Sequence, residues 1–260
     1  MVRRLFPGGL SVLFAWCIAC PVGSAAEALS KVPPIALQVA FGLPKPPYIS
    51  ASGKGGLEVE IVEQALAATG YHVVPVYLPP TRARVMVLAG ELEAMSTVTE
   101  EFGGDGFYSK PYIVYHNVAI SLAKRKLEIR TPDELAQYSV AAFQNARLML
   151  GERFGAMSAV NPNYTEYARQ VLQNRMLMTG RVDVVVGDRL IFAALMEELG
   201  SAIDVSQPVT IHEIFAPSPR RMLFRSASVR DDFNRGFEQI ERNGTVTLLY
   251  RKYQGGRAGS

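Results

Sequence analysis

Residues 175–188 read Arg-Met-Leu-Met-Thr-Gly-Arg-Val-Asp-Val-Val-Val-Gly-Asp. The end of a helix runs into Gly180, two further residues and Asp183, and then into a valine run. Such a run suits a strand buried on both faces. The same grammar stands 90 residues earlier at 85–98, Val-Met-Val-Leu-Ala-Gly-Glu-Leu-Glu-Ala-Met-Ser-Thr-Val, with Gly90 and Glu93 in the matching places. Two copies of one helix–glycine–strand unit predict two lobes, each with its own small sheet.

The surrounding segments extend that pattern. Ile35–Phe41, Tyr71–Leu78, Leu92–Val98 and Tyr112–Leu122 are strand candidates, the last long enough to leave one lobe for another. Gly56–Thr69 and Arg82–Ala89 carry helical spacing and stop at Gly70 and Gly90. Further on, Thr131-Pro-Asp-Glu134 has the form of a capping box. Val140–Phe143 is a strand, followed by a helix from Ala146. Asn163-x-x-Glu166 opens another helix that ends at Gly180, and Arg189–Leu199 is helical. Pro208–Pro219 reads as a connection. Ser228-x-x-Asp231 caps a last amphipathic helix, broken at Asn243-Gly244 before a short final one. Alternating strands and helices predict an α/β fold of two lobes, each a small, mostly parallel sheet flanked by helices.

With 260 residues, 48% of them hydrophobic and 20% charged, the chain has the material for such cores, and wholesale disorder is excluded. The N-terminus reads as an address: Arg3-Arg4, an apolar stretch from Leu5 to Val22, then Ser24-Ala25-Ala26. A cleaved secretory signal over residues 1–26 is expected. Ile18-Ala19-Cys20 also resembles the end of a lipobox, which keeps lipidation at Cys20 open. The only two cysteines, Cys17 and Cys20, fall in this segment, and loss of Arg3 and Arg4 takes the formal charge from +3 to +1. A near-neutral chain with no basic run has no electrostatic footprint for nucleic acid or an anionic membrane. A periplasmic location is expected. The expected division is lobe 1 over 27–120, lobe 2 over 121–212, and a return crossover with the rest of lobe 1 over 213–260.

Enzyme signals are poor. His72, His116 and His212 are isolated in sequence, and none makes a metal pair at helical spacing. No Gly-x-Ser-x-Gly elbow or Walker loop occurs, and Gly53-Lys-Gly-Gly56 lacks the preceding strand of a dinucleotide fingerprint. No catalytic residue, metal site or cofactor is assigned. Binding signals are better. In open α/β sheets, ligands sit beyond the carboxyl ends of the strands. Those ends offer the ring of Tyr48, the hydroxyls of Ser96, Thr97 and Thr99, the amides of Gln144 and Asn145, and the carboxylate of Asp188. Arg82 opens a helix, an end at which the dipole disfavours a cation, so either a ligand carboxylate or a surface partner explains it. Asp188 can serve as a helix N-cap, a ligand contact, or both.

Several markers in order resemble the bacterial extracellular solute-binding proteins of family 3, over about residues 35–253. They are Pro46-Pro47-Tyr48, Gly56-Leu57, Pro79-x-x-Arg82 with Gly90, Ser96-x-Thr-x-Thr-Glu, Tyr108-Ser-Lys-Pro-Tyr112, Thr131-Pro-Asp-Glu-Leu135, and Gly180-Arg-Val-Asp183 running to Asp188. The resemblance implies two lobes joined by two crossovers that close over a small molecule. It adds Tyr112 to the candidate ligand contacts, and it implies delivery of the ligand to a membrane permease of the ABC type by a protein that acts as a monomer. In members that bind amino acids, an arginine shortly after a Thr-Pro-Glu stretch holds the carboxylate and an aspartate of the second lobe holds the ammonium. Asp188 matches the aspartate, while Phe102 stands in the arginine's region. Either Arg82 supplies the positive charge or the ligand lacks a carboxylate. The resemblance also leaves two rivals: an enzyme on the same scaffold, similar to cyclohexadienyl dehydratases, with Glu100, Glu101 or Asp188 as acid or base, and a sensory module for a membrane receptor.

Overall fold

The structure, a computed structural model, describes residues 1–2, 33–52, 54–99, 105–201 and 203–254. The expected signal segment with Cys17 and Cys20, and Glu100, Glu101 and Phe102, lie outside the described residues. The chain divides into two compact units, Met1–Pro33 and Pro34–Ser260, and every element below belongs to the second.

The order of elements in the first part is β1 (Ile35–Phe41), α1 (Leu57–Ala67), β2 (Tyr71–Tyr77), α2 (Pro80–Ala89), β3 (Ala94–Val98), β4 (Phe107–Tyr108) and β5 (Ile113–Tyr115). Then come β6 (Asn117–Leu122), β7 (Val140–Phe143), α3 (Ala146–Met149), α4 (Glu152–Val160), β8 (Tyr164–Tyr167), α5 (Val171–Met178), β9 (Val184–Asp188), α6 (Arg189–Met196) and β10 (Val209–His212). The chain returns through β11 (Ser218–Phe224) and ends in α7 (Ala227–Arg242) and α8 (Thr245–Gln254).

Two sheets result, one per lobe of an α/β fold. The first has the order β2-β1-β3-β11-β4, with β5 also on β11; the second has the order β10-β6-β9-β7-β8. Strands β2, β1 and β3 are parallel, as are β8, β7 and β9, whereas β11 and β6 are antiparallel to their neighbours. Each sheet is therefore parallel where helices connect its strands and antiparallel where the chain crosses between lobes. The first crossing falls at His116, between β5 and β6, a few residues before the expected boundary at 120. One strand over 112–122 was expected, and two form because Ile113–Tyr115 pair with β11 while Asn117–Leu122 pair with β9 and β10.

Each sheet carries core on both faces. In β9, Val185 packs with Leu177, Phe192 and Ile120, while Val184 and Val186 pack with Phe154, Leu135 and Ala142. That is the two-sided burial the valine run predicts. The first sheet packs Val39 and Phe41 on Ile61, Phe233 and Phe237, with Ala40, Val87 and Met95 on its other face. Helix α7 lies tight on α1, since a Cβ at Gly236 would stand 1.9 Å from the Ala65 carbonyl oxygen.

Four expectations are corrected. Residues 163–166 open a strand, not a helix: Tyr164–Tyr167 continue the parallel sheet beside β7. Pro208–Pro219 is more than a connection, because Val209–His212 pair with β6 and β11 begins at Ser218. The Thr131 side chain caps nothing in the short 3-10 helix Pro132–Gln137, and Glu134 instead accepts from the Arg130 N–H at 2.9 Å. Helix α7 has Ser226 at its N-cap and begins before Ser228.

Candidate functional site

A cavity of about 330 Å³ lies where the carboxyl ends of the parallel strands in both sheets meet. Phe41–Leu43 after β1, Leu78 and Pro80 after β2, Ser96 and Thr97 of β3, Phe143 of β7 and Asp188 of β9 form its wall. Asn117 at the start of β6 and Arg220 near the start of β11 complete it, because antiparallel strands bring their amino ends to the same rim. Lys45, Tyr115, Met149, Gln170 and Ile191 close the sides.

The floor is built on Glu58, which is wholly buried near the start of α1. Gly56 makes this possible. It has φ +125°, and a Cβ there would stand 2.3 Å from the Tyr48 carbonyl oxygen. Only glycine lets the 45–49 loop lie on the helix end, where Pro47 and Tyr48 carbonyls accept the N–H groups of Leu57 and Glu58 at 2.9 and 3.0 Å. The Glu58 carboxylate then accepts from the hydroxyls of Tyr112 (2.9 Å), Tyr115 (2.8 Å) and Thr97. Lys45 Nζ stands 4.0 Å away. Burial alone would push the Glu58 carboxyl up, but Lys45 and the surrounding hydroxyls outweigh it and hold the group below the usual range. The same burial, followed by the Glu58 charge, raises the Tyr112 and Tyr115 hydroxyls well above theirs.

Thr97 departs from ordinary strand geometry. Its φ is +61°, which a β-branched residue rarely adopts. The β3–β11 register slips at this point, Arg221 facing Val98 and Leu223 facing Met95. This bulge turns Thr97 so that its N–H donates to the Tyr112 hydroxyl at 3.2 Å and its side chain donates to Glu58. Local strain of this kind costs about 1–3 kcal/mol and concentrates at binding sites.

Asp188 has a full set of donors. Oδ1 accepts the Leu190 and Ile191 N–H groups at 2.9 and 3.1 Å, which makes Asp188 the N-cap of α6. Oδ2 accepts the His116 N–H at 2.8 Å, and the Tyr48 hydroxyl lies 3.1 Å from both oxygens. Burial raises its carboxyl above the ordinary value, against the pull of these bonds. The residue thus ties the β1 loop, the crossover at His116 and α6 to one point.

Two cations face the cavity. Arg220 is only 7% exposed, its Nε is buried without a hydrogen-bond partner, and its guanidinium carbon lies 5.2 Å from the centre of the Tyr115 ring. Among the described residues, no carboxylate comes within ion-pair distance of it. Lys45 Nζ lies 4.6 Å from the same ring centre, and a quarter of its side chain stays exposed. Burial lowers the Lys45 ammonium from its ordinary value and Arg220 lowers it further, with Glu58 and Asp188 opposing.

Of the residues singled out from sequence, Ser96, Thr97 and Asp188 stand in the cavity wall. Tyr48 and Tyr112 are buried behind it, bonded to Asp188 and Glu58. Thr99 is half-buried and outside the wall. Arg82, Gln144 and Asn145 are exposed and also outside it, although their neighbours Pro80, Ala83 and Phe143 line it. Lys45, Glu58, Tyr115, Asn117, Gln170 and Arg220 escaped the sequence reading. The histidines keep apart from the wall: the His212 ring bonds Ser121 at 2.9 Å between β10 and β6, and His116 offers its backbone at the crossover. Among the described residues, no His, Cys, Asp and Glu cluster has a metal-holding arrangement. Nor is any described helix long and apolar enough to cross a membrane.

No family model and no curated protein matches the chain by sequence. Solved structures match it in fold. An ancestral arginine-binding protein bound to glutamine aligns with a TM-score of 0.61 at 19% identity, over 84% of this chain and 97% of that one. The GluR0 ligand-binding core in complex with L-glutamate gives 0.66 at 15% identity, over 84% and 98%. The arginine-, lysine- and histidine-binding protein ArtJ of Geobacillus stearothermophilus gives 0.62 at 15% identity, over 85% and 96%. The chain has the two-lobed fold of these binding proteins.

Proposed function

We propose that this chain is a periplasmic solute-binding protein that captures a small polar solute, an amino acid or a related compound, between its lobes. It delivers that solute to an ABC-type permease in the membrane. The observation that carries the reading is the cavity itself: about 330 Å³, at the facing strand ends of both sheets, with polar side chains from both lobes set among apolar ones. A site of this size suits one small molecule. Solved structures of the same fold that hold glutamine or glutamate support the ligand class.

We read the protein as a binder rather than a catalyst. Glu58 and Asp188, the carboxylates of the floor and wall, are taken up by hydroxyl and N–H donors, which leaves neither poised to move a substrate proton. Thermal-shift screening against a metabolite library, followed by calorimetry of the hits, tests the reading, because a ligand specific to the folded state raises its stability. Saturable one-to-one binding with no chemical change in the ligand is expected. Turnover of prephenate or arogenate would replace the reading with an enzymatic one. Copurification with a receptor kinase instead of a permease would make the protein a sensor.

A further inference from the structure

We infer that the solute is an organic anion, a carboxylate on an apolar body with no ammonium group, and that Arg220, with Lys45 beside it, holds the charge. The inference rests on the solute-binding reading and names the class of its ligand.

Three observations converge. First, Arg220 is an almost fully buried cation whose Nε has no partner, and it forms part of the cavity wall. A buried charge left unpaired is strongly unfavourable, so a site that keeps one is completed by a counter-ion. A guanidinium pairs best with a carboxylate, which it can grip through two parallel hydrogen bonds. Lys45 lies against the same tyrosine ring and adds a second positive charge at that end.

Second, among the described residues the wall has no open carboxylate for an ammonium. The four lone-pair sites of the Asp188 carboxylate face three backbone N–H groups and the Tyr48 hydroxyl. Glu58 lies below the surface, held by Tyr112, Tyr115, Thr97 and Lys45. An ammonium in the cavity would meet two cations and, among the described residues, no free carboxylate.

Third, the rest of the wall is mostly apolar. Phe41, Leu43, Leu78, Phe143, Met149 and Ile191 all stand in it. Such a surface favours hydrocarbon over further charge.

Calorimetry on the full-length protein with matched probes tests this. One set is 3-phenylpropanoate, phenylalanine and 3-phenylpropanamide; the other is 4-methylpentanoate, leucine and 4-methylpentanamide. The acids are expected to bind, and the amides to bind about a hundredfold more weakly; the amino acids should also bind more weakly than the acids. Arg220→Gln should weaken the acids on the order of a hundredfold, and Arg220→Lys should restore part of the loss. Circular dichroism and thermal melts check that both variants fold. If Arg220→Gln does not, Lys45→Gln, which lies in a loop, should still show a loss of about tenfold. An amino acid that binds as well as or better than its deaminated acid overturns the inference, as does an amide that binds as well as its acid. If the probes fail, the metabolite library decides. A carboxylate hit without an ammonium that is weakened by Arg220→Gln supports the inference; a hit that carries an ammonium, or one indifferent to Arg220→Gln, refutes it while leaving solute binding intact. A library with no hit overturns the solute-binding reading, and this inference falls with it.

Discussion

The first sheet runs β2-β1-β3-β11 and the second runs β8-β7-β9-β6, with the same strand directions throughout. Strand β1 matches β7, β3 matches β9, and the antiparallel β11 matches β6. The 90-residue echo in the sequence falls on this correspondence, since β3 spans Ala94–Val98 and β9 spans Val184–Asp188. The difference lies in what the matching ends carry. At the start of its antiparallel strand the first sheet has Arg220, and the second has the neutral amide of Asn117. At the floor of the first lies Glu58, met by hydroxyls and a lysine; at the β9 end of the second lies Asp188, met mostly by backbone N–H groups. One plan therefore yields one wall with two cations over a buried glutamate and another whose single carboxylate is capped by N–H groups.

The strongest test of that contrast is Glu58. Glu58→Ala strands two tyrosine hydroxyls and Lys45 in a buried site, and should lower stability by about 3–5 kcal/mol in urea unfolding. Because its native carboxyl is held low, its stabilising share is complete above the ordinary glutamate value and is lost as pH falls through the native one. Glu58→Gln should therefore lose less stability than the wild type between neutral pH and about pH 3. Asp188 should behave differently. Asp188→Ala removes a helix cap and the bonds to His116 and Tyr48, and is expected to cost about 2–3 kcal/mol. Its carboxyl is shifted the opposite way, so its own titration favours the folded state at low pH and disfavours it as pH rises through the raised native value. Carboxyl NMR titration should find Glu58 below its ordinary value and Asp188 above; the same direction for both would break the contrast.

Lys45 sharpens the comparison at the level of the ligand. Its ammonium is lowered by burial and by Arg220. Affinity for a carboxylate should fall as pH rises through that lowered value, before an ordinary lysine would deprotonate. The other groups facing it do not share this titration: Glu58 is held low, and the Tyr48 and Tyr115 hydroxyls are pushed up. Lys45→Gln should weaken binding about tenfold at neutral pH and flatten the alkaline limb. Calorimetry across neutral to alkaline pH reads both, and an alkaline limb that persists in the variant would assign it elsewhere.

The sequence made the scaffold legible and hid the charges. Helix–glycine–strand units and the run of four valines and one aspartate over 182–186 locate the sheets because periodicity and stop signals are local. Residues 163–167 and 209–212 were misread because their strand character depends on the neighbours β7 and β6, which no local pattern supplies. Asp188 was legible as a cap because an acid between strand and helix has a local meaning. Arg220 was hidden in Ser-Pro-Arg-Arg, although Arg220, Met222 and Phe224 alternate on one buried face of β11. Glu58 left a similar trace as a carboxylate on the buried stripe of an otherwise apolar helix face. A charge at a core position is informative, because burial requires partners to be found elsewhere in the chain.

Arg82 gives the smallest expected effect and a clean discrimination. From sequence it is a candidate cation for a ligand carboxylate, yet α2 turns it to solvent while Pro80 and Ala83, on the adjoining face, meet the cavity. Helical geometry explains the split: neighbouring positions point about a quarter-turn or more apart, and one short helix end cannot aim both at the same space. Arg82→Ala should therefore leave stability within about 0.5 kcal/mol and ligand affinity within about twofold of the wild type. The same calorimetry that reads Arg220→Gln measures it. A large loss at Arg82 with none at Arg220 would move the anion site from the β11 strand to the α2 helix end, and the charged wall would have to be redrawn around a helix instead of a strand.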